Sequence, residues 1–396
     1  MKPITVLHII DSLALGGTEL QVVRTLRRLD ANGFRQVLCL LRWMEYSTLQ
    51  ALEDKIETHT LNLAVKNDYR RGVIRLRHLI DRIQPDVLHT HLFKATIIGR
   101  IAGRLTHRPV ITTLANTPYE PLWSVDDPGL TRWKVKAVRT IDAATAAWTT
   151  WYVANSEAVK QSAIRHLGIS GGRITVVHRG IGWETLPTVS AEQARAIRAE
   201  LGWTDAAPLL LNVGRLVPQK GLQHLMDAMA IVIKALPHAR LAIAGEGRLR
   251  ASLEAQIQAN GLRGIVRLLG ERRDVPPLLA ATDLFIFPSL SEGFPNALLE
   301  AMAYGKPCIA SRIEAVEEIA GSDGAVLIPP RSPLATAEAI LMLARDPDQR
   351  RRLSAAAALR ARHFDLQESV HKLEAVYREV VAGRGVAGAI ADARAR

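Results

Sequence analysis

Cysteine is almost absent. The 396 residues contain two, Cys39 and Cys308, far apart and each inside an apolar run. A disulfide scaffold and a cysteine-based metal site are thereby excluded, and both read as reduced packing residues of a cytosolic protein. Long apolar runs are absent too. The longest stretch free of Asp, Glu, Lys and Arg is the 14 residues 143–156, rich in threonine, whereas a membrane-spanning helix needs about 20 mainly apolar residues. Met1-Lys2-Pro3 leads straight into a strand pattern, so no signal peptide is expected. What is present is a globular balance, 48% hydrophobic and 23% charged, with length for two domains of ~100–200 residues.

Charge is unevenly spread. Residues 1–180 hold 25 Lys/Arg against 15 Asp/Glu, and the remainder 26 against 24, so +10 of the +12 formal charge lies in the N-terminal half. An anionic partner is implied there. Arg71, Arg75, Arg77 and Arg82 on one predicted helix, with Lys66 and Arg70 before it, suit docking on an anionic cytoplasmic leaflet. Nucleic acid is disfavoured because no aromatic-basic motif accompanies the charge. Trp133, Trp148, Trp151 and Tyr152, around a predicted helix over 130–148, read as core packing in preference to a membrane-facing stripe.

Short β-branched runs alternate with amphipathic stretches. Strands are predicted at 4–10, 36–41, 87–91, 110–114, 152–154 and 174–177. The pattern then restarts at 209–213, 241–244, 266–269, 284–287, 308–310 and 326–328, and helices near 333–345, 348–362 and 366–382 close it. Two βαβ series mean two Rossmann-like, doubly wound parallel sheets facing across a cleft. The predicted parts are 1–180, 181–365, and a C-terminal helix with a frayed tail over 366–396 that crosses back. Ligands of such sheets bind beyond the carboxyl ends of the strands.

Four constellations could carry chemistry there. Gly214-Arg215-Leu216-Val217-Pro218-Gln219-Lys220-Gly221 links a strand to a helix and sets two cations near a helix N-terminus, which suits a diphosphate; an ordinary basic turn is the plain alternative. Ser291-Glu292-Gly293-Phe294-Pro295-Asn296-Ala297-Leu298-Leu299-Glu300 places carboxylates on either side of a Pro-initiated helix start. Its early amides, of Asn296, Ala297 and Leu298, are expected to be free for an anion, and its carboxylates suit sugar hydroxyls. Gly16-Gly17-Thr18-Glu19 lets a loop pass close to a ligand, or is a turn with Thr18 as N-cap. His89 and His91 share one strand face; His89 reads as a satisfied core residue and His91 as an imidazole offered to the cleft. Gly245 and Gly247 in Ala244-Gly245-Glu246-Gly247 mark a tight loop. Asp346-Pro347-Asp348 reads as a helix cap rather than a metal motif.

GRLVPQKG at 214–221, AGEG at 244–247 and SEGFPNALLEAMAYGKP at 291–307 resemble the C-terminal domain of the family-4 retaining glycosyltransferases of the GT-B fold. GGTE at 16–19 and DVLHTH at 86–91 resemble their N-terminal domain. The resemblance implies a hexosyltransferase with a nucleotide-diphosphate-sugar donor, a glycan or lipid-linked acceptor, no metal, and a role in envelope or exopolysaccharide synthesis. It implies that Arg215 and Lys220 bind the diphosphate and Glu300 the ribose. Glu292 and the amides after Phe294 would hold the sugar and its phosphate, and His91 would touch the sugar near its reacting carbon. Gly16, Gly17, Gly245 and Gly293 would line the donor. Arg179-Gly180-Ile181-Gly182 departs from the family's usual Asn-Gly-Ile-Asp. A nucleotide-sugar epimerase, a sugar phosphorylase or a non-catalytic binding module would use the same features.

Overall fold

A computed structural model of the chain describes residues 2–13, 17–29, 33–42, 56–63, 68–117, 119–120, 131–203 and 208–383. They divide into two compact units. Of the described residues, the first takes those up to Tyr119, 131–180 and those from Leu366 on; the second holds Glu120 and Ile181–Asp365.

In the first unit, strands β1 (Ile4–Ile10), β2 (Phe34–Leu40), β3 (Glu57–Thr60), β4 (Val87–His91), β5 (Val110–Leu114), β6 (Trp151–Ala154) and β7 (Ile174–Val176) form one sheet in the order β3-β2-β1-β4-β5-β6-β7. Every pairing is parallel. Strands β1 and β4 are buried along nearly their whole length because both their faces are covered. Helices α1 (Gly17–Leu29), α2 (Tyr69–Ile83), α3 (Phe93–Thr106), α4 (Arg132–Ala146) and α5 (Glu157–Leu167) supply most of that cover. Strand β3 is invisible to the sequence pattern: Glu-Thr-His-Thr has no apolar alternation, and it holds its place only as an edge strand on β2.

The second unit repeats the plan with β8 (Leu209–Val213), β9 (Arg240–Ala244), β10 (Val266–Gly270), β11 (Leu284–Phe287), β12 (Cys308–Ser311) and β13 (Val326–Ile328), ordered β10-β9-β8-β11-β12-β13. Helices α6 (Ala191–Glu200), α7 (Leu222–Ala235), α8 (Arg250–Ala259), α9 (Val275–Ala281), α10 (Asn296–Ala303), α11 (Glu314–Ala320), α12 (Pro333–Arg345) and α13 (Pro347–Ala361) build two cores, one on each sheet face. Asp346 caps α13 by accepting from the Gln349 amide at 2.8 Å, with Pro347 in the first turn.

The last helix, α14 (Leu366–Val381), leaves the second unit and packs on the first. Leu366, Val370, Leu373, Val376, Tyr377 and Val380 recur at helical spacing and meet Val6, Val87, Ile111 and Val153 of the sheet. At roughly 1.5–3 kcal/mol for each large apolar side chain, this helix is an integral part of the first core.

Two aromatic assignments need correction. Trp151 and Tyr152 are buried, but Trp133 is 68% and Trp148 39% exposed. Helix α4 turns Asp142 and Thr145 inward instead, toward the fully buried Arg100. That guanidinium donates to Asp142 Oδ1 at 2.6 Å, to Thr145 at 3.1 Å and to Thr149 at 2.8 Å. A buried cation requires such partners, so the polar stripe of α4 faces in and its tryptophan faces out. The basic face of α2 is also partly committed: Arg75 donates to the Asn62 carbonyl at 3.1 Å and Arg71 pairs with Asp68 at 3.4 Å. Cys39 and Cys308 are buried free thiols in different units, and burial pushes the Cys39 thiol up to about 12.

Three histidines are built into the first sheet. His8 of β1 lies beside His89 and His91 of β4, all buried. Burial lowers their basicity, His8 from 6.5 to about 4 and the other two well below 6.5, where neighbouring imidazoles add to the effect. These groups are neutral when folded and protonate when unfolded. Their contribution is complete above about pH 6.5 and is lost as pH falls toward 4; for His8 alone it is on the order of 3 kcal/mol. The unfolding midpoint, followed by circular dichroism, should therefore fall steadily from about pH 7 to about pH 4.5. A flat profile would mean that the imidazoles are open to solvent.

Candidate active site

In each sheet the strand order reverses once, between β1 and β4 and between β8 and β11. Loops leaving such a pair diverge and open a crevice at the carboxyl ends. The sequence-predicted residues gather at these two places.

In the second unit, three loops are joined there backbone to backbone. Gly214 donates to the Ala244 carbonyl at 2.9 Å, Leu216 to Glu246 at 2.9 Å, and Leu249 to Leu216 at 3.0 Å. Leu290 donates to the Gln219 carbonyl at 2.8 Å, and the Gln219 side chain to the Ser291 carbonyl at 2.6 Å. Two glycines permit this approach. At Gly221 (φ +64°) a Cβ would lie 2.2 Å from the Pro288 carbonyl, and at Gly245 (φ +151°) 1.9 Å from the Gly214 carbonyl. The Ala-Gly-Glu-Gly loop is thus the backing of the Gly214–Gly221 loop.

This junction brings Lys220 and Glu292 together. Nζ lies 2.5 Å from Oε1, with the side chains 15% and 9% exposed, and Nζ also stands 5.2 Å from the centre of the Phe287 ring. Lys220 is consequently a positioned cation with a carboxylate already on it, whereas Arg215 is exposed. The ammonium has three donors and can meet Glu292 and a further anion at once.

Gly293 and Phe294 are buried in the turn before α10, which opens at Asn296 behind Pro295 without a side-chain cap. The expectation of three free amides is corrected: Asn296 donates to the Phe294 carbonyl at 3.0 Å, because the turn after Phe294 folds back on itself. Ala297 and Leu298 retain the unsatisfied amides of a helix start, where the helix dipole favours an anion. Glu300 is half-buried on the same helix, one turn before Tyr304; burial raises the Tyr304 phenol and the Glu300 charge adds to it. Two polar atoms that sequence reasoning missed, Asn212 Oδ1 in β8 and Ser289 Oγ after β11, are buried without a hydrogen-bond partner. Nothing in a strand pattern distinguishes them from satisfied core residues.

In the first unit, Gly17 opens α1 and Gly16 lies outside the described residues. Thr18 is not an N-cap. It stands inside the first turn, and its hydroxyl accepts from Arg179 Nη2 at 2.8 Å. Arg179, at the position where the usual motif has Asn, is 8% exposed. His89 is fully satisfied, with Nδ1 2.5 Å from the Tyr377 hydroxyl and Nε2 2.7 Å from the Thr113 hydroxyl. His91 lines a cavity of about 70 Å³ with Thr18, Arg179, Asn155 and Thr113. Nitrogens of His8, His89 and His91 lie within 4.8 Å of one another, close enough for a metal ion. Five of the six ring nitrogens are already in hydrogen bonds, so the trio is a hydrogen-bonded cluster and fits an ion poorly.

Comparison with known proteins bears on both units. Residues 15–182 match the family model described as Glycosyltransferase Family 4, and residues 207–346 that of Glycosyl transferases group 1. The UDP-Gal:alpha-D-GlcNAc-diphosphoundecaprenol alpha-1,3-galactosyltransferase of Escherichia coli is 31% identical over 264 residues, 65% of each chain. The alpha-D-kanosaminyltransferase of Streptomyces kanamyceticus is 31% identical over 194 residues, 48% of this chain and 50% of that one. The chain thus spans half to two thirds of the length of these curated relatives. The crystal structure of Anabaena HepE with UDP-glucose has a TM-score of 0.80 at 22% identity, covering 96% of this chain and 99% of that one, a likeness of fold. With two parallel sheets of the GT-B class and both halves matched in order, the chain belongs to glycosyltransferase family 4.

Proposed function

We propose that this protein transfers a hexose from a nucleotide-diphosphate sugar to a hydroxyl of a glycan or lipid-linked acceptor, with retention and without a metal ion. The observation that carries the reading is the Lys220–Glu292 pair, seated beside the uncapped start of α10 where a strand order reverses. Breaking the bond between sugar and diphosphate develops negative charge on the leaving group. Lys220, Arg215 and the amides of Ala297 and Leu298 are preorganised donors for that charge. Glu292 and Glu300 are acceptors for hydroxyls of the sugar and the ribose. The acceptor oxygen attacks from the leaving-group side and gives its proton to a diphosphate oxygen. His91 meets the transferred sugar. The E. coli relative's name makes UDP-hexoses the first donors to try and a diphospholipid-linked sugar the first acceptor.

A panel of nucleotide sugars tests the class. Free nucleoside diphosphate with a glycosylated acceptor supports transfer; an epimerised sugar, or binding without turnover, overturns it. Arg215→Ala should lower turnover about 10²-fold with the melting temperature unchanged, since Arg215 is exposed. Lys220→Ala should lose at least as much activity and also about 1–3 kcal/mol of stability, because it strands the Glu292 carboxylate. Near-normal turnover in both variants would remove the diphosphate role.

Activity should persist in EDTA, because a lysine and an arginine take the leaving-group charge that a metal would otherwise take. Loss on chelation, restored by magnesium or manganese, would overturn metal independence.

The enzyme works peripherally on an anionic cytoplasmic membrane face. No helix among the described residues is long and apolar enough to cross a membrane. Helix α4 instead exposes Trp133, Val138 and Ile141 together with Lys134, Lys136 and Arg139, and Trp148 follows it. Each Lys or Arg near an anionic surface contributes about 1 kcal/mol. Flotation with anionic vesicles should carry the protein, less so at high salt and less so for Trp133→Ser. Absence of binding at low salt, with good activity on a soluble acceptor, would remove the idea.

A further inference from the structure

The histidine cluster carries an ordered set of protons. Gln36 of β2 presents Oε1, which can only accept, 2.6 Å from His8 Nε2. His8 Nε2 therefore bears the proton. In a neutral imidazole that leaves His8 Nδ1 bare, and Nδ1 faces His91 Nε2 at 3.2 Å. For that contact to be a hydrogen bond, His91 Nε2 must donate. His91 Nδ1 is then bare in turn, and it is buried with no hydrogen-bond partner. An unmet buried acceptor is costly, and His91 lines the 70 Å³ cavity.

A second observation marks the same place. Leu92, directly after His91, has φ +67° and ψ 162°, a region that leucine enters at a cost of about 1–3 kcal/mol. The turn is held by Asp11, whose Oδ1 accepts from the Ala95 amide at 2.9 Å, and by the Thr96 amide bond to the Leu92 carbonyl at 3.0 Å. The end of β4 is thus kept in an unfavourable conformation that fixes where His91 sits.

We infer that Gln36 and His8 are positioning residues that lock His91 in the Nε2–H tautomer, so that its Nδ1 accepts a hydrogen bond from a hydroxyl of the bound sugar and rejects phosphate or carboxylate oxygens. The relay reads proton polarity: a ligand group at His91 must bring an O–H or N–H. This inference rests on the reading that His91 meets the sugar.

Long-range nitrogen–proton correlation spectra of the full chain, labelled with nitrogen-15 histidine, test the relay directly. The expected result is His91 in a single tautomer protonated at Nε2. A mixed or Nδ1-protonated His91 overturns the relay. Gln36→Met keeps the side-chain length and removes the acceptor. It should mix the His91 tautomers and lower kcat about tenfold while the melting temperature stays within a few degrees; Gln36→Glu, which restores an acceptor, should restore the single tautomer. An unchanged His91 spectrum in Gln36→Met overturns the role of Gln36. The sugar contact is tested apart by His91→Leu with a UDP-hexose. A locked wild-type tautomer with full turnover in His91→Leu overturns the contact and with it the purpose of the relay. A mixed wild-type tautomer with turnover lost in His91→Leu overturns the relay alone.

Discussion

Parallel pairing at the reversal of strand order is the constraint on which the rest of the structure depends. All strands of a sheet point one way, so every strand delivers its last residue to the same edge, and the reversal between β1 and β4 or β8 and β11 keeps that edge from being bridged by its own connections. The cost is two fully buried central strands in each unit, which must be apolar nearly throughout. Polar residues in such strands need a reason. Thr5 and His8 in β1, His89, Thr90 and His91 in β4, and Asn212 in β8 break the apolar rule, and they stand in the strands that flank the reversals.

At the two reversals of strand order the polar groups are satisfied by different means. The second uses an ion pair: Lys220 and Glu292 come from loops stapled by backbone hydrogen bonds, with Gly221 and Gly245 allowing contact that any side chain would block. Little reorganisation is left when an anion arrives, which is how fixed donors stabilise developing charge. The first unit uses no charge at all in its histidine cluster. Neutral imidazoles joined to Gln36, Thr113 and Tyr377 can lie side by side in a dry sheet where imidazolium ions would repel.

Much of this was legible in the sequence because it is periodic or carried by contiguous motifs. Most strands followed from apolar runs bounded by Gly and Pro, and the Gly214–Gly221 and Ser291–Glu300 segments are continuous in the chain. What escaped was set by partners distant in sequence. Strand β3 is polar and exists through β2. Arg100 and Asp142 are separated by 42 residues, so α4 looked like a helix with its aromatics inward when a buried guanidinium had claimed its inner face. The Lys220–Glu292 pair joins two motifs that read separately as a cation site and a carboxylate site. His8 and Gln36 carried no signal, since one histidine and one glutamine in adjacent strands acquire meaning only through register.

The difference between the units bears on selectivity. Lys220 and Arg215 with bare helix amides can only donate, so they select acceptor atoms, and diphosphate oxygens are the strongest of these. A bare imidazole nitrogen can only accept, so it selects hydroxyls and repels the same oxygens that the other group attracts. A nucleotide sugar carries both kinds of atom, separated by the bond that must break. Under the proposed function, such a donor calls for groups of opposite hydrogen-bond polarity, one charged and one neutral, and for no contact specific to any one sugar. The identity of the hexose is left to the remaining hydroxyls and the side chains that meet them. Under the proposed function, a grip on the diphosphate and a choice of sugar are separate tasks, and a change in the second leaves the first intact.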